Sequence, residues 1–248
     1  MVNLTIAGSI ATMAMNDPAR RNALGLAMFD ALEAALSTIA SRDDVAVVIV
    51  RGEGQAFCAG FDLGAAANDP PLVGEFIRRL GCVNRAIRRL PQVVIAAVHG
   101  AAIAGGCALL SACDLVVIAP SAQVGYPVHA LGISPAVTIP TLAQAIGPGA
   151  ARALLMSGRL VDGTEARRLG LASHIAGEGD AERSAGELAR AVAGHGPHAL
   201  RLTKRWLNEL DGSLDDDRFN GPSADSARLA LEPEASAMLR RFWASRQR

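Results

Sequence analysis

Apolar and polar positions change period several times along the chain, and each change marks an element. Leu4 and Ile6 alternate with less apolar neighbours, and Ile10, Thr12 and Ala14 continue the period of two beyond Ala7 and Gly8. That alternation predicts a hairpin over 4–15. A loop follows at 16–18. From Leu26 onward, Phe29, Leu32, Leu36 and Ile39 recur at helical spacing. Residues 45–50 are a continuous run rich in β-branched side chains, the signature of a strand buried on both faces. Residues 93–98 and 114–118 repeat that signature. Between the first and second of these strands the pattern predicts a loop at 68–71 and a helix over about 73–90, ended by Pro91. Helical spacing returns at 141–146 and 150–156. The segment 162–166 reads as a helix start with Thr164 as candidate cap, and 171–175 as one more strand. From Ala181 onward the patterning is helical, with breaks expected at 195–197, 211–212 and 220–222. The chain therefore divides into a mixed α/β core over 1–190 and a helical part over 191–248.

Composition narrows the function classes. The chain has 248 residues, 50% hydrophobic and 19% charged, which excludes disorder and provides for a sizeable core. Lys+Arg and Asp+Glu are equal at 24 each, so no global attraction to nucleic acid or anionic membrane is expected. Aromatics at 4% argue against base stacking. The arginines of the 73–90 segment read as a solvated helix face or a subunit contact. Residues 93–113 carry no formal charge and approach the length of a membrane span. His99-Gly100 and Gly105-Gly106 divide them into strand, Gly-rich loop and short buried helix, so no span is expected. No Lys or Arg precedes Arg20, and no continuous apolar stretch stands there, so no signal peptide is expected. Cys58, Cys82, Cys107 and Cys113 form no CxxC pair and have no zinc spacing. They read as buried free thiols in a reducing compartment, with a cytoplasmic location and no metal site.

Generic catalytic signatures are missing: there is no GxSxG elbow, no Walker loop and no HExxH. Two strand-to-loop junctions are built alike. Residues 45–50 lead to Ala59, Gly60, Phe61 and Asp62, and residues 93–98 lead to Gly100 through Gly106. A Gly-rich loop after a buried strand turns backbone N–H groups outward, and two such loops side by side can hold one oxygen between two donors. On spacing alone, tight packing explains the glycines equally well.

Five segments together resemble the crotonase (enoyl-CoA hydratase/isomerase) superfamily. They are DPARRNAL at 17–24, GQAFCAGFDL at 54–63, VHGAAIAGGC at 98–107, ACD at 112–114, and the stretch from Ser157-Gly158 to Gly170-Leu171. The resemblance implies an α/β spiral of ββα units with a helical C-terminal trimerisation region, as a homotrimer or a dimer of trimers. It implies an acyl-CoA thioester as partner, with coenzyme A as part of the substrate and no permanently bound cofactor. The backbone amides of Phe61 and Gly105 would form the oxyanion hole. Coenzyme A contacts would map onto Arg20, Arg21 and Ala23 in one loop and Ala59, Phe61, Asp62 and Leu63 in the other. Arg20 and Arg21 are candidates to meet phosphates as charges.

The sequence departs from the family pattern at two places. Hydratases of the family use two glutamates. Here one position is Ala108, two residues after the Gly-Gly pair, and the other is Val128 in PVHALG at 127–132. Neither side chain transfers a proton. Replacement candidates are His129, beside the vacant position, and Tyr126, the single tyrosine. Asp62 reads more simply as a loop cap and His99 as a loop histidine; Ser134 has no motif behind it. The leading expectation is an acyl-CoA enzyme with an intact oxyanion hole and altered acid–base groups. The alternatives are a non-catalytic acyl-CoA binder or sensor and a structural subunit.

Overall fold

A computed structural model describes residues 1–69 and 71–246; Pro70 of the predicted 68–71 loop and the Trp243 side chain lie outside the described residues. Strands β1 (Val2–Ala7) and β2 (Ile10–Met15) form the predicted hairpin around Gly8, in register from Val2 opposite Met15 to Ala7 opposite Ile10. Helix α1 (Leu26–Ala40) buries Phe29, Leu32, Leu36 and Ile39, the stripe read from the sequence. Strand β3 (Val47–Gly52) starts two residues later than expected. Its register begins with Ile10 opposite Val47, so Val45 and Ala46 precede the hairpin's last rung, and Ala46 N–H donates to Ser9 O at 2.8 Å.

Next come α2 (Leu63–Asn68), α3 (Leu72–Arg89), β4 (Val93–Val98), β5 (Ala101–Ile103) and α4 (Gly105–Ala112). The charge-free stretch is thus two strands and a short helix, with β5 standing where only a Gly-rich loop is expected from the sequence, and no helix among the described residues is long and apolar enough to cross a membrane. β6 (Leu115–Ile118) and β7 (Gln123–Gly125) repeat the β4–β5 step. α5 (Ile139–Ser157) joins the two predicted helical segments through a break at Gly147, which adopts φ 76° before Pro148. β8 (Leu160–Asp162), α6 (Gly163–Leu169) and β9 (His174–Ile175) complete the core.

Two sheets result. One runs β1-β2-β3-β4-β6-β9, parallel except for the hairpin; the other runs β5-β7-β8. β4 with β5, and β6 with β7, each step from the first sheet to the second before the chain turns into a helix, as in the expected spiral of ββα units. Buried strands β3 and β4 carry the Val/Ile runs because both of their faces are covered.

Several local expectations are corrected. Asp162, not Thr164, caps α6: its Oδ1 accepts from Glu165 N–H at 2.8 Å. The strand predicted at 171–175 shrinks to two residues because Leu171 and Ala172 N–H both donate to Ala166 O, closing the end of α6. The helical region contains α7 (Ala181–Ala193), which spans residue 190 and packs on β3 and β4, then α8 (Pro197–Leu210), α9 (Asp216–Leu229) and α10 (Pro233–Arg246). The break expected at 220–222 is absent. α9 runs through Pro222 because Ser223, Ser226 and Ala227 are buried in its packing against α3. Cys58, Cys107 and Cys113 are buried free thiols as expected, but Cys82 is exposed on the outer face of α3, in step with Arg78 and Ala86.

The arginines of α3 are neutralised within the chain. Arg79 makes a bidentate pair with Glu33 and a further bond to Asp30; Arg88 pairs with Asp211, and Arg85 and Arg89 with Asp216. The C-terminal helices are tethered by buried polar groups as well. Lys204 Nζ donates to Gln92 O at 2.8 Å and Asp114 Oδ2 at 2.6 Å, and Asn208 Nδ2 to Arg88 O at 2.9 Å. Burial holds the Lys204 pKa below its ordinary value, with Asp114 opposing the shift. α8 leaves Leu202, Trp206, Leu207 and Leu210 exposed, whereas Leu239 of α10 is buried.

Candidate functional site

The two motif loops are joined through Asn22, a fully buried residue with φ 56°. Its amide nitrogen donates to Glu53 O at 2.9 Å and Ala56 O at 2.8 Å, and its Oδ1 accepts from Asp17 N–H at 2.8 Å. The backbone continues the junction: Ala59 N–H donates to Arg21 O, Leu24 N–H to Gly60 O and Asp62 N–H to Leu24 O. Asp62 caps α2 by accepting from Ala65 N–H at 3.1 Å and also pairs with Arg20 at 3.2 Å. Arg20 pairs with Asp17 too, and its pKa is raised chiefly by that hydrogen bond.

The second junction lies against the first. Cys58 N–H donates to Ala101 O, and Ile103 N–H to Cys58 O, both at 3.0 Å. Glycine is required here for close approach. A Cβ on Gly106 would overlap the carbonyl oxygen of Cys58, and one on Gly60, whose φ is 93°, would stand 3.0 Å from Ile103 O and 3.8 Å from Gly105 N. Gly105 opens α4 directly after Ala104, which holds φ 51° and ψ −107°. As the first residue of the helix, Gly105 has no intrahelical acceptor for its N–H. Among the described residues, neither its N–H nor that of Phe61 donates to another backbone carbonyl. Two unpaired donors therefore sit on adjacent turns, with the Phe61 ring beside Gly105.

A groove of about 520 Å³ runs past these turns. It is lined by Arg20, Arg21, Ala23, Ala59, Phe61, Asp62 and Leu63, and by Val128, Leu131, Ile133 and Phe242 among others. All seven residues assigned to coenzyme A from the sequence thus meet in one place. Arg20 and Arg21 are its exposed cations. Phe61, Ala104, Val128 and Ile133 also border a small cavity of about 20 Å³, whose accessible lining is wholly apolar. Gly105, Ala108 and Tyr126 line that cavity as well.

Ala108 and Val128 therefore border the same cavity as Phe61 and Gly105. His129 does not: it is exposed in the turn His129–Leu131 and lines neither groove nor cavity. Tyr126 lines the cavity, but its hydroxyl bonds Thr138 Oγ1 at 2.9 Å, and burial pushes its pKa well above the ordinary phenol value. No other titratable side chain borders the cavity among the described residues. His99 Nε2 is bonded to Gly54 O at 3.0 Å in the loop, and Ser134 Oγ accepts from Ala136 N–H. A larger cavity, about 800 Å³, lies under α8 beside Lys204 and Asp114; it is bordered by motif residues Cys113, Asp114, Gly170 and Leu171 but by none of the residues assigned to the oxyanion hole or to coenzyme A. No cluster of three or more potential metal ligands occurs among the described residues.

The family model for enoyl-CoA hydratase/isomerase matches residues 5–215. The chain belongs to the crotonase family. A Thermus thermophilus protein named as an enoyl-CoA hydratase is 37% identical over 243 residues, 96% of each chain. The mouse mitochondrial methylglutaconyl-CoA hydratase is 37% identical over 207 residues, 81% of this chain and 66% of that protein. The crystal structure of a Bacillus anthracis enoyl-CoA hydratase superposes with TM-score 0.79 at 28% identity, covering 98% of this chain and 96% of that one.

Sequence reasoning missed several residues of this crotonase's site. Asn22 lay inside a quoted motif without a role; its signal was an asparagine in a loop where a left-handed residue is tolerated. Ile77 and Leu80, which border the cavity, stand at core spacing on α3 and carry no separate signal.

Proposed function

We propose that the protein binds acyl-CoA thioesters in the groove and polarises the thioester carbonyl between the amides of Phe61 and Gly105. The observation that carries this reading is the convergence of all seven loop residues on one groove whose inner end meets two unpaired N–H groups. A thioester enolate concentrates negative charge on one oxygen, and preorganised donors stabilise that charge without rearranging; one such donor is typically worth about 2.7–4 kcal/mol in the transition state. Arg21 supplies positive charge at the exposed part of the groove, where the phosphates of coenzyme A would lie, and Arg20 would reach them in exchange for its pairs with Asp17 and Asp62.

Chemistry through a thioester enolate is the reaction class this reading favours, without two-glutamate hydration. Ala108 and Val128 stand at the positions of the two glutamates, and neither exchanges a proton. A second reading, an acyl-CoA binder without turnover, is favoured by the lack of a titratable group near its ordinary pKa around the cavity. A panel of saturated and unsaturated acyl-CoAs, scored in parallel for binding and turnover, separates the two. Binding with product formation supports the enzyme, binding alone the second reading, and no binding at millimolar concentration contradicts both.

Self-association as a trimer or dimer of trimers belongs to the same proposal. The exposed apolar residues Leu202, Trp206, Leu207 and Leu210 of α8 support it. Light scattering at micromolar concentration should show a multiple of three; a monomer would contradict it.

A further inference from the structure

We propose that the cavity behind the two amides selects short, uncharged acyl groups, with Ile77 and Leu80 of α3 setting the limit. The inference rests on reading the groove as an acyl-CoA site. The groove and the cavity share Phe61, Ala104, Val128 and Ile133, so an acyl chain extending from a carbonyl at Gly105 enters the cavity. There it meets a nearly filled space. The volume is about 20 Å³, room for little more than one water-sized probe.

The far side is closed by Ile77, Leu80, Tyr126 and Val137, all buried. Their helix is not a loose wall. α3 is tied to α1 by the bidentate Arg79–Glu33 pair and to α9 through Asp216, and its Phe76 ring packs at 5.7 Å from the Phe61 ring. A long chain has to displace packed side chains from a core of close-packed density.

The cavity's chemistry excludes charge. No Lys, Arg or His borders it among the described residues, and its accessible lining is apolar. A terminal carboxylate on the acyl chain would be desolvated without a cationic partner. An acetyl methyl fits this space in size and polarity; a butyryl chain overfills it by about two methylenes, octanoyl and palmitoyl chains overfill it further, and a glutaryl group also brings a charge.

Calorimetry with free CoA and with acetyl-, butyryl-, octanoyl-, palmitoyl- and glutaryl-CoA tests this. Acetyl-CoA should bind at least about tenfold tighter than octanoyl-, palmitoyl- or glutaryl-CoA, with butyryl-CoA between them. In Ile77→Ala the preference should move toward octanoyl-CoA; Leu80→Ala, as a second variant, should move it in the same direction if the first fails to fold. Affinity that rises through palmitoyl-CoA, or glutaryl-CoA binding as well as acetyl-CoA, overturns the inference while leaving the groove reading intact. No binding of CoA or any thioester at millimolar concentration overturns both.

Discussion

The amide of Asn22 donates to the carbonyl of Ala56 at 2.8 Å, and this buried bond joins the first motif loop to the second. Through it the segment carrying Arg20, Arg21 and Ala23 is held against the segment carrying Ala59, Phe61 and Asp62. Replacing Asn22 by Ala removes the bonds to Glu53, Ala56 and Asp17 together. Each buried partner left unsatisfied costs about 1–3 kcal/mol, so Asn22→Ala should be clearly destabilised in urea unfolding. Its affinity for CoA should fall as well. An unchanged midpoint and unchanged affinity would show that the loops are held by backbone contacts alone.

Ala104 occupies φ 51° and ψ −107°, a conformation that costs a side-chain-bearing residue about 1–3 kcal/mol. Ala104→Gly relieves that strain and gives back about 0.4–1 kcal/mol in unfolded-state entropy. The variant should melt at a higher temperature with acyl-CoA affinity retained. A lower melting temperature would mean that the Ala104 methyl contributes more through packing than its backbone costs.

Thiol accessibility checks the fold independently of any ligand. Burial pushes the Cys58, Cys107 and Cys113 thiols up to about 12, whereas Cys82 is exposed. A thiol-disulfide reagent at neutral pH should modify Cys82 in the native protein and the other three only on unfolding. Rapid native reaction of Cys107, whose neighbour Tyr126 borders the acyl cavity, would contradict the packing of α4.

Hydration of crotonyl-CoA should be slow or absent in the wild-type protein. General acid–base groups are worth about 10²–10⁴-fold each, and Ala108 and Val128 supply none. Restoring both as Ala108→Glu and Val128→Glu should raise the rate if the two amides hold the thioester oxygen. A wild-type rate equal to that of the glutamate-bearing double variant would show that another group carries the protons. Loss of that rate in His129→Ala would point to the exposed histidine.

Much of the architecture was legible because periodicity reports burial directly. The Val/Ile run of β4 and the stripe of α1 appear where their patterns put them, and β3 appears two residues later than its run. The seven loop residues meet in one groove because the motifs that carried the resemblance form the turns around it. What escaped depends on distant partners. α9 passes through Pro222 because its packing on α3 outweighs the missing N–H, which no local pattern records. The last strand is short because α6 borrows the N–H groups of Leu171 and Ala172. His129 sits one residue from a cavity-lining position, yet the tight turn after Val128 carries it into solvent. Ile77 and Leu80 read as ordinary core because a cavity wall and a core share the same apolar spacing.

In the proposed complex one thioester oxygen lies between the amides of Phe61 and Gly105. Difference infrared spectroscopy of butyryl-CoA labelled with ¹³C at the thioester carbonyl tests it most directly. Two donated hydrogen bonds in an apolar site should shift the carbonyl stretch of the bound ligand to lower frequency than in water. Saturable binding with the stretch unmoved or shifted upward would contradict the claim.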